Sequence, residues 1–294
     1  MTSIDSGEVL TEAGLAVGVS TAGAQLIRDG TNVMYRLPGA VVARIGPAGS
    51  HGLAERQITA SRWLADAGIP VVQVLDGVEQ PTLVGDRPVT WWVTLPEHRH
   101  AEPAELGAML RRLHELAVPE SALFPEVDPL DGLYEAIRDG SPLLAQDDRR
   151  WLQDLVDSLR ADYGDVAQDL PRHVIHGDAW QGNVVVVDPD RPVLLDLDHF
   201  GIGPWEWDLI SLAVDYTDFA RITPTDYRAF VEAYGGYDMT AWPGYRTLAT
   251  IREVRWATFA LSKATTDDEV AKQARHRVAC LRGVIDRPWT WTAL

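Results

Sequence analysis

The 294-residue chain has little cysteine, few cationic residues and no long apolar run. Cys280 is its single cysteine, so no intrachain disulfide framework can form, and the chain suits a reducing compartment. Lys and Arg number 26 against 43 Asp and Glu, a formal net charge of −17. Nucleic acid needs a cationic footprint for its phosphates, so no nucleic-acid partner is expected. The acid excess is compatible with a cationic ligand and equally with plain solubility. No apolar stretch approaches a membrane span, and Met1–Gly7 carries no apolar leader core. A cytoplasmic protein without a membrane partner is the expectation. Internal repeats and low-complexity tracts are absent, as is any G-x-x-x-x-G-K-[ST] string, which excludes a Walker-type nucleotide loop.

What the chain does have is an apolar content of 46%, spread throughout, and enough length for one large domain or two lobes with sizeable cores. The organising stretch runs from Pro171 to Trp207. Val184–Val187 and Val193–Asp196 are short apolar runs, and the five residues between them hold two prolines and two aspartates, a hairpin signal. Pairing these strands brings Asn183 and Asp196 together although thirteen positions separate them. Asp178 lies on the loop just upstream, five residues before Asn183. Phosphoryl transfer needs such a set: one side chain for the acceptor hydroxyl and two oxygen ligands for the magnesium that bridges the phosphates. A lone Asp-x-x-x-x-Asn is an ordinary turn; the ordered set within its strand pattern favours a kinase site.

The string His176-Gly177-Asp178-x-x-x-x-Asn183, followed by Asp196, resembles the aminoglycoside phosphotransferase family, the small-molecule branch of the protein-kinase-like fold. The resemblance covers nearly the whole chain. It implies an α+β fold of two lobes: an N-terminal antiparallel sheet lobe with one main helix (1–95), a hinge (96–101), and a mostly helical C-terminal lobe with the catalytic hairpin (102–294). It implies ATP or GTP and Mg2+ as cofactors. The acceptor is a small hydroxylated molecule, such as an aminoglycoside, an amino sugar or a similar alcohol. In that frame Asp178 aligns the acceptor hydroxyl and takes its proton late. Asn183 and Asp196 hold the metal. His176 and Asp208 brace the loop, although a carboxylate at a helix start is favoured by the dipole in any case. Asp198 assists a second metal or the acceptor, or is a solvated loop carboxylate. Trp180, Trp205 and Trp207 are candidates for the acceptor pocket, each with core packing as its plainer role. A zinc site from His173, His176 and Asp178 lacks a fourth ligand at a matching spacing.

Toward the N-terminus, Gln25–Arg28 and Val33–Leu37 read as a hairpin, with Val41–Ile45 as a third strand. The resemblance sets Gly30, Thr31 and Asn32 over the nucleotide phosphates, though a plain hairpin turn has the same composition. Arg44 falls where the kinase fold has its phosphate-pairing lysine. The helix near 51–67 departs from the pattern, because the expected glutamate is Gln57 and Glu55 lies on another side. Either Gln57 bonds Arg44 as a neutral stand-in, or Glu55 bends in. Val71–Leu75 and Val89–Leu95 are expected as the last two strands of the lobe. Leu95, Glu97 and His98 are expected at the hinge beside the nucleotide base. Arg44 with Gln57 also motivates a second reading, a catalytically weak pseudokinase that binds nucleotide or a small ligand as a sensor.

Helices are expected at Val9–Val17, Pro103–Ala117, Asp131–Arg138, Asp147–Tyr163 and Trp207–Tyr216, after Thr223, and at Tyr245–Lys263 and Thr266–Val284. Thr266-x-x-Glu269 has capping-box spacing. The last residues are expected to pack a tryptophan back on the surface.

Overall fold

The computed structural model describes residues 5–120, 123–187, 191–264 and 268–292. The turn residues 188–190 and the Thr266 cap lie outside these. The strands are β1 (Gln25–Asp29), β2 (Val33–Leu37), β3 (Val41–Ile45), β4 (Thr82–Val84), β5 (Arg87–Val93), β6 (Arg99–His100), β7 (His173–Ile175), β8 (Val184–Val186), β9 (Pro192–Leu194) and β10 (Gly201–Gly203). The helices are α1 (Ser6–Val17), α2 (His51–Asp66), α3 (Pro103–His114), α4 (Leu133–Asp139), α5 (Gln146–Ala167), α6 (Glu206–Thr217), α7 (Pro224–Tyr234), α8 (Tyr245–Lys263) and α9 (Asp268–Leu281). Among the described residues, no helix is long and apolar enough to cross a membrane. The fold is α+β in two lobes. One compact unit holds the described residues up to Ala101 together with Gln181–Phe200; the other holds Glu102–Trp180 and the chain from Gly201 on.

In the first unit, five antiparallel strands form a sheet in the order β1-β2-β3-β5-β4. Along β3, Val41, Ala43 and Ile45 are buried on one face, and Val42 and Arg44 take the other. Helix α1 closes the first face, burying Val9, Leu10 and Ala13 with Val33, Leu37, Ile45 and Trp91. Helix α2 lies on the other, with Ile58 against Val74 and Trp92. A second sheet in the order β6-β8-β9 completes the unit.

Val71–Leu75 is not the fourth strand. Val71 bridges to Leu194 and Val74 to Trp92, so the segment divides its backbone bonds between the two sheets. Val72 N–H donates to Leu194 O, and Leu75 N–H to Trp91 O. The Gln80 side chain joins the same edge, donating to Leu75 O and accepting from Trp91 N–H. The fourth strand is Thr82–Val84, inside the stretch whose Pro81, Gly85 and Pro88 signal a loop. It is an edge strand preceded by Pro81 and turned by Gly85, a setting that tolerates both residues.

In the second unit, β7 and β10 pair antiparallel, with Gly203 opposite His173. A Cβ at Gly201 would lie 2.4 Å from the backbone oxygen of Pro125, so this approach requires glycine. Helix α3 opens with Pro103 and a reciprocal cap between Glu102 and Glu105. Helix α7 opens with Thr223 Oγ1 accepting from Asp226 N–H. Helices form where the apolar periodicity places them, with moved ends: α3 stops at His114, α5 extends to Ala167, and α9 ends at Leu281. Two C-terminal tryptophans pack back rather than one. Trp289 and Trp291 are buried, stack at 5.4 Å and meet Phe219 edge-on.

A buried acid pair ties that tail down. Arg246 and Arg287 each reach both Asp218 and Glu253, and both acids are nearly fully buried. Burial pushes the Glu253 carboxyl up to about 7, helped by its hydrogen bond with Asp218. A carboxyl raised above its unfolded value stabilises the fold while protonated. That contribution is complete below the unfolded value and is lost as pH rises through the folded one. The melting temperature should therefore fall between about pH 5 and 8, and Glu253→Gln should flatten that slope. Thermal melts of both chains across this range check it; parallel slopes would refute the assignment.

Candidate active site

The hairpin residues expected to hold the metal belong to the first unit. Asn183 closes a single turn, Gln181–Asn183, and β8 follows at once. Val184 pairs with Leu194, and Leu195 N–H donates to Asn183 O at 2.8 Å. The ladder thus sets Asn183 and the Leu195–Asp196 step at the same end of the ribbon. Asn183 is buried. Asp196 has φ of 52°, a left-handed conformation that costs a non-glycine residue energy and recurs at functional sites. An amide and a carboxylate are oxygen donors, the type a hard divalent cation takes.

Arg44 lies in the middle of the sheet, between Met34 and Thr90. Its Nη2 reaches both oxygens of Asp198, at 2.6 and 2.7 Å. Gln57 Nε2 donates to the same carboxylate at 2.6 Å. The acid partner of the strand arginine therefore comes from the turn after the metal hairpin. Gln57 turns to that acid, and Glu55 pairs with His51. Burial works against the charge on Asp198, but Arg44 holds its carboxyl below the ordinary range. Asp198 is thus an ion-pair partner rather than a solvated loop acid. Arg44, Asn32, Gln57 and Thr90 line a small open cleft. Gly30 and Thr31 sit with Asn32 in the turn between β1 and β2. Between β5 and β6, Leu95 is half-buried and Glu97 and His98 are exposed, with His98 Nδ1 2.7 Å from Pro96 O.

The residues expected to form the catalytic loop belong to the second unit. Strand β7 runs into His176-Gly177-Asp178, with Gly177 at φ of 81°. Asp208, near the start of α6, accepts from the backbone N–H of His176 at 2.7 Å and of Gly177 at 2.8 Å. It also accepts from His114 Nε2 at 3.0 Å, and the other nitrogen of that ring meets the Tyr234 hydroxyl. Burial pushes the Asp208 carboxyl up, yet these bonds outweigh it and hold the group below the ordinary range. Trp207 Nε1 donates to Gly177 O at 2.9 Å. The His176 ring is fully buried, and its Nδ1 accepts from Asp178 N–H at 3.3 Å.

The Asp178 side chain is 40% exposed, and its Oδ1 accepts from Arg252 Nη1 at 2.8 Å. Sequence reasoning misses Arg252, which stands 74 positions away on a helix that reads as packing. Its one signal is a charge one turn after Leu248, on a buried helix face. Of the three tryptophans, Trp180 is half-exposed. Trp205 packs on Tyr234 and Tyr237, at 5.1 and 4.8 Å, and Trp207 is buried behind the loop. Among the described residues, no three His, Cys, Asp or Glu side chains are disposed to hold a metal ion, and His173 Nδ1 lies 3.1 Å from His114 O.

Residues 24–248 match the model of a family described as a phosphotransferase enzyme family. Comparison with curated proteins finds no match. Among solved structures, the chain is similar to an amicoumacin kinase in complex with AMP-PNP, Ca2+ and Ami, with TM-score 0.69 and 15% identity over 96% of this chain and 94% of that one. It is similar to an aminoglycoside phosphotransferase from Streptomyces rimosus, with TM-score 0.60 and 21% identity over 84% and 96%. It is also similar to a choline/ethanolamine kinase family protein from Mesorhizobium loti, with TM-score 0.58 and 19% identity over 91% and 89%. At these identities the likeness is one of fold.

The triad of Arg44, Gln57 and Asp198 gives a direct test. Gln57→Glu replaces a donor by an acceptor against Asp198 Oδ1 and should cost about 1–3 kcal/mol of stability. Adding Asp198→Asn should recover most of that loss in denaturant titrations. A neutral Gln57→Glu chain would show that the amide contact does not matter.

Proposed function

The chain belongs to the phosphotransferase enzyme family, and from that premise we propose that it moves the γ-phosphate of ATP or GTP to a hydroxyl of a small molecule. An aminoglycoside, an amino sugar or a similar alcohol is the acceptor class. The pinned loop His176–Asp178 carries this proposal, because it presents a partly exposed carboxylate on a support fixed by Asp208. Asp178 aligns the acceptor hydroxyl and takes its proton late, as the bond to phosphorus forms. Arg44 grips phosphate oxygens, and Asp198 and Gln57 hold its guanidinium where the kinase pattern uses a helix glutamate. Asn183 and Asp196 fit Mg2+, which neutralises charge on the phosphates when bound. Residues 1–95 take the nucleotide, with Gly30, Thr31 and Asn32 at the phosphates and Leu95, Glu97 and His98 in or next to the hinge (96–101) near the base. Residues 102–294 take the acceptor, where Trp180 offers an exposed ring.

The pseudokinase reading rests on an Arg44 without an acid partner on α2, and against it Asp198 pairs with Arg44 from outside that helix. An assay of nucleotide and magnesium against a library of hydroxylated small molecules, read as ADP or GDP release, tests the activity. Asp178→Ala should lower kcat by about 10²–10⁴-fold and leave nucleotide binding in place. Asn183→Ala and Asp196→Ala should raise the magnesium requirement. Failure to find magnesium-dependent turnover with any acceptor would return the sensor reading to first place.

A further inference from the structure

Arg252 is 2% exposed on α8, and its guanidinium lies 4.1 Å over the Trp207 ring. Trp207 in turn donates to the carbonyl of Gly177, the residue before Asp178. Nη1 of Arg252 bonds Asp178, while its Nε and Nη2 are buried without a hydrogen-bond partner. Asp208 and Asp215 are the other acids whose charge reaches it. A guanidinium carries five N–H donors, and burying it with the three on Nε and Nη2 unmatched is costly. An apolar side chain of similar length would fill the same space without that cost. The strong bond Arg252 does make goes to the carboxylate that the proposed phosphotransfer uses.

We propose that Arg252 is a positioning residue for Asp178, fixing the carboxylate through Oδ1 so that its orientation is set before the acceptor hydroxyl arrives. The inference rests on the phosphotransfer proposal above. Asp208 fixes the backbone of His176 and Gly177, and the rotamer of the Asp178 side chain needs a constraint of its own. Arg252 supplies that constraint from a rigid helix, and Trp207 links the two supports by touching both the loop and the guanidinium. Reacting groups displaced by a fraction of an ångström lose rate by orders of magnitude, so a fixed rotamer acts on kcat rather than on binding.

The test is a double-mutant cycle on the full chain. Arg252→Met keeps the length and the contact with Trp207; Arg252→Lys keeps the charge and a donor. Both should lower kcat, Met by about 10–100-fold and Lys less, with the KM for nucleotide moved by less than about threefold. In an Asp178→Asn chain with residual turnover, Arg252→Met should cost nothing further, because the carboxylate to be held is gone. An equal fractional loss in both backgrounds means a merely structural role and overturns the inference. If Arg252→Met fails to fold, Arg252→Lys carries the same cycle. An intact kcat in Asp178→Ala would sink the phosphotransfer proposal itself. An abolished kcat there, with Arg252→Met within about twofold of the parent, would sink only the positioning role.

Discussion

The Asp208 carboxylate is the constraint on which the second unit depends. It is buried, yet it stays below the ordinary carboxylate range because it accepts from two consecutive backbone N–H groups and from His114. The loop from His176 to Asp178 turns through a left-handed glycine and so cannot satisfy those N–H groups within a strand or helix. A buried acid does it for them. Replacing Asp208 by an apolar residue would orphan two backbone donors and an imidazole at once, which explains why a charge is kept in the core. Trp207, its neighbour on α6, completes the hold by donating to the Gly177 carbonyl.

A second, partly buried acid has the corresponding place in the first unit. Asp198 takes Arg44 and Gln57 together, so the strand, helix α2 and the turn after Asp196 share one carboxylate. The kinase pattern puts the acid on the helix and leaves the metal turn separate. Here the helix position is an amide, and an acid there would face Asp198 and repel it. Glutamine is therefore a consequence of where the acid went, and Arg44 keeps a full counter-charge in a fixed geometry.

The sequence made the local parts legible. The Asp178, Asn183 and Asp196 set is contiguous enough for strand pairing and spacing to bring its hairpin half together. The sheet was legible up to Ile45 and again in β5, because alternation and turn residues are short-range signals. Val71–Leu75 misled, since an extended apolar run says nothing about being shared by two partners. Asp198 and Arg252 were opaque for a different reason. Their partners stand 154 and 74 positions away, and a side-chain bond over such a distance leaves no periodicity. What the sequence does show at Arg252 is an arginine on a helix face that is otherwise buried, a pattern that reads as snorkelling until the structure shows where the head group goes.

Charge taken wholly or partly out of water has one use at three places. Asp208 fixes backbone, Asp198 fixes a guanidinium, and Arg252 meets a carboxylate; each gives up hydration for directional bonds that apolar packing cannot supply. Apolar cores position helices and strands to within the looseness of rotamers, as around α1 and α2. A group that must point at a reacting atom needs tighter control, and charge-assisted hydrogen bonds provide it because they weaken steeply when distance or angle changes. In each of the three at least one partner is taken largely out of water, which would otherwise loosen the bond and the geometry with it.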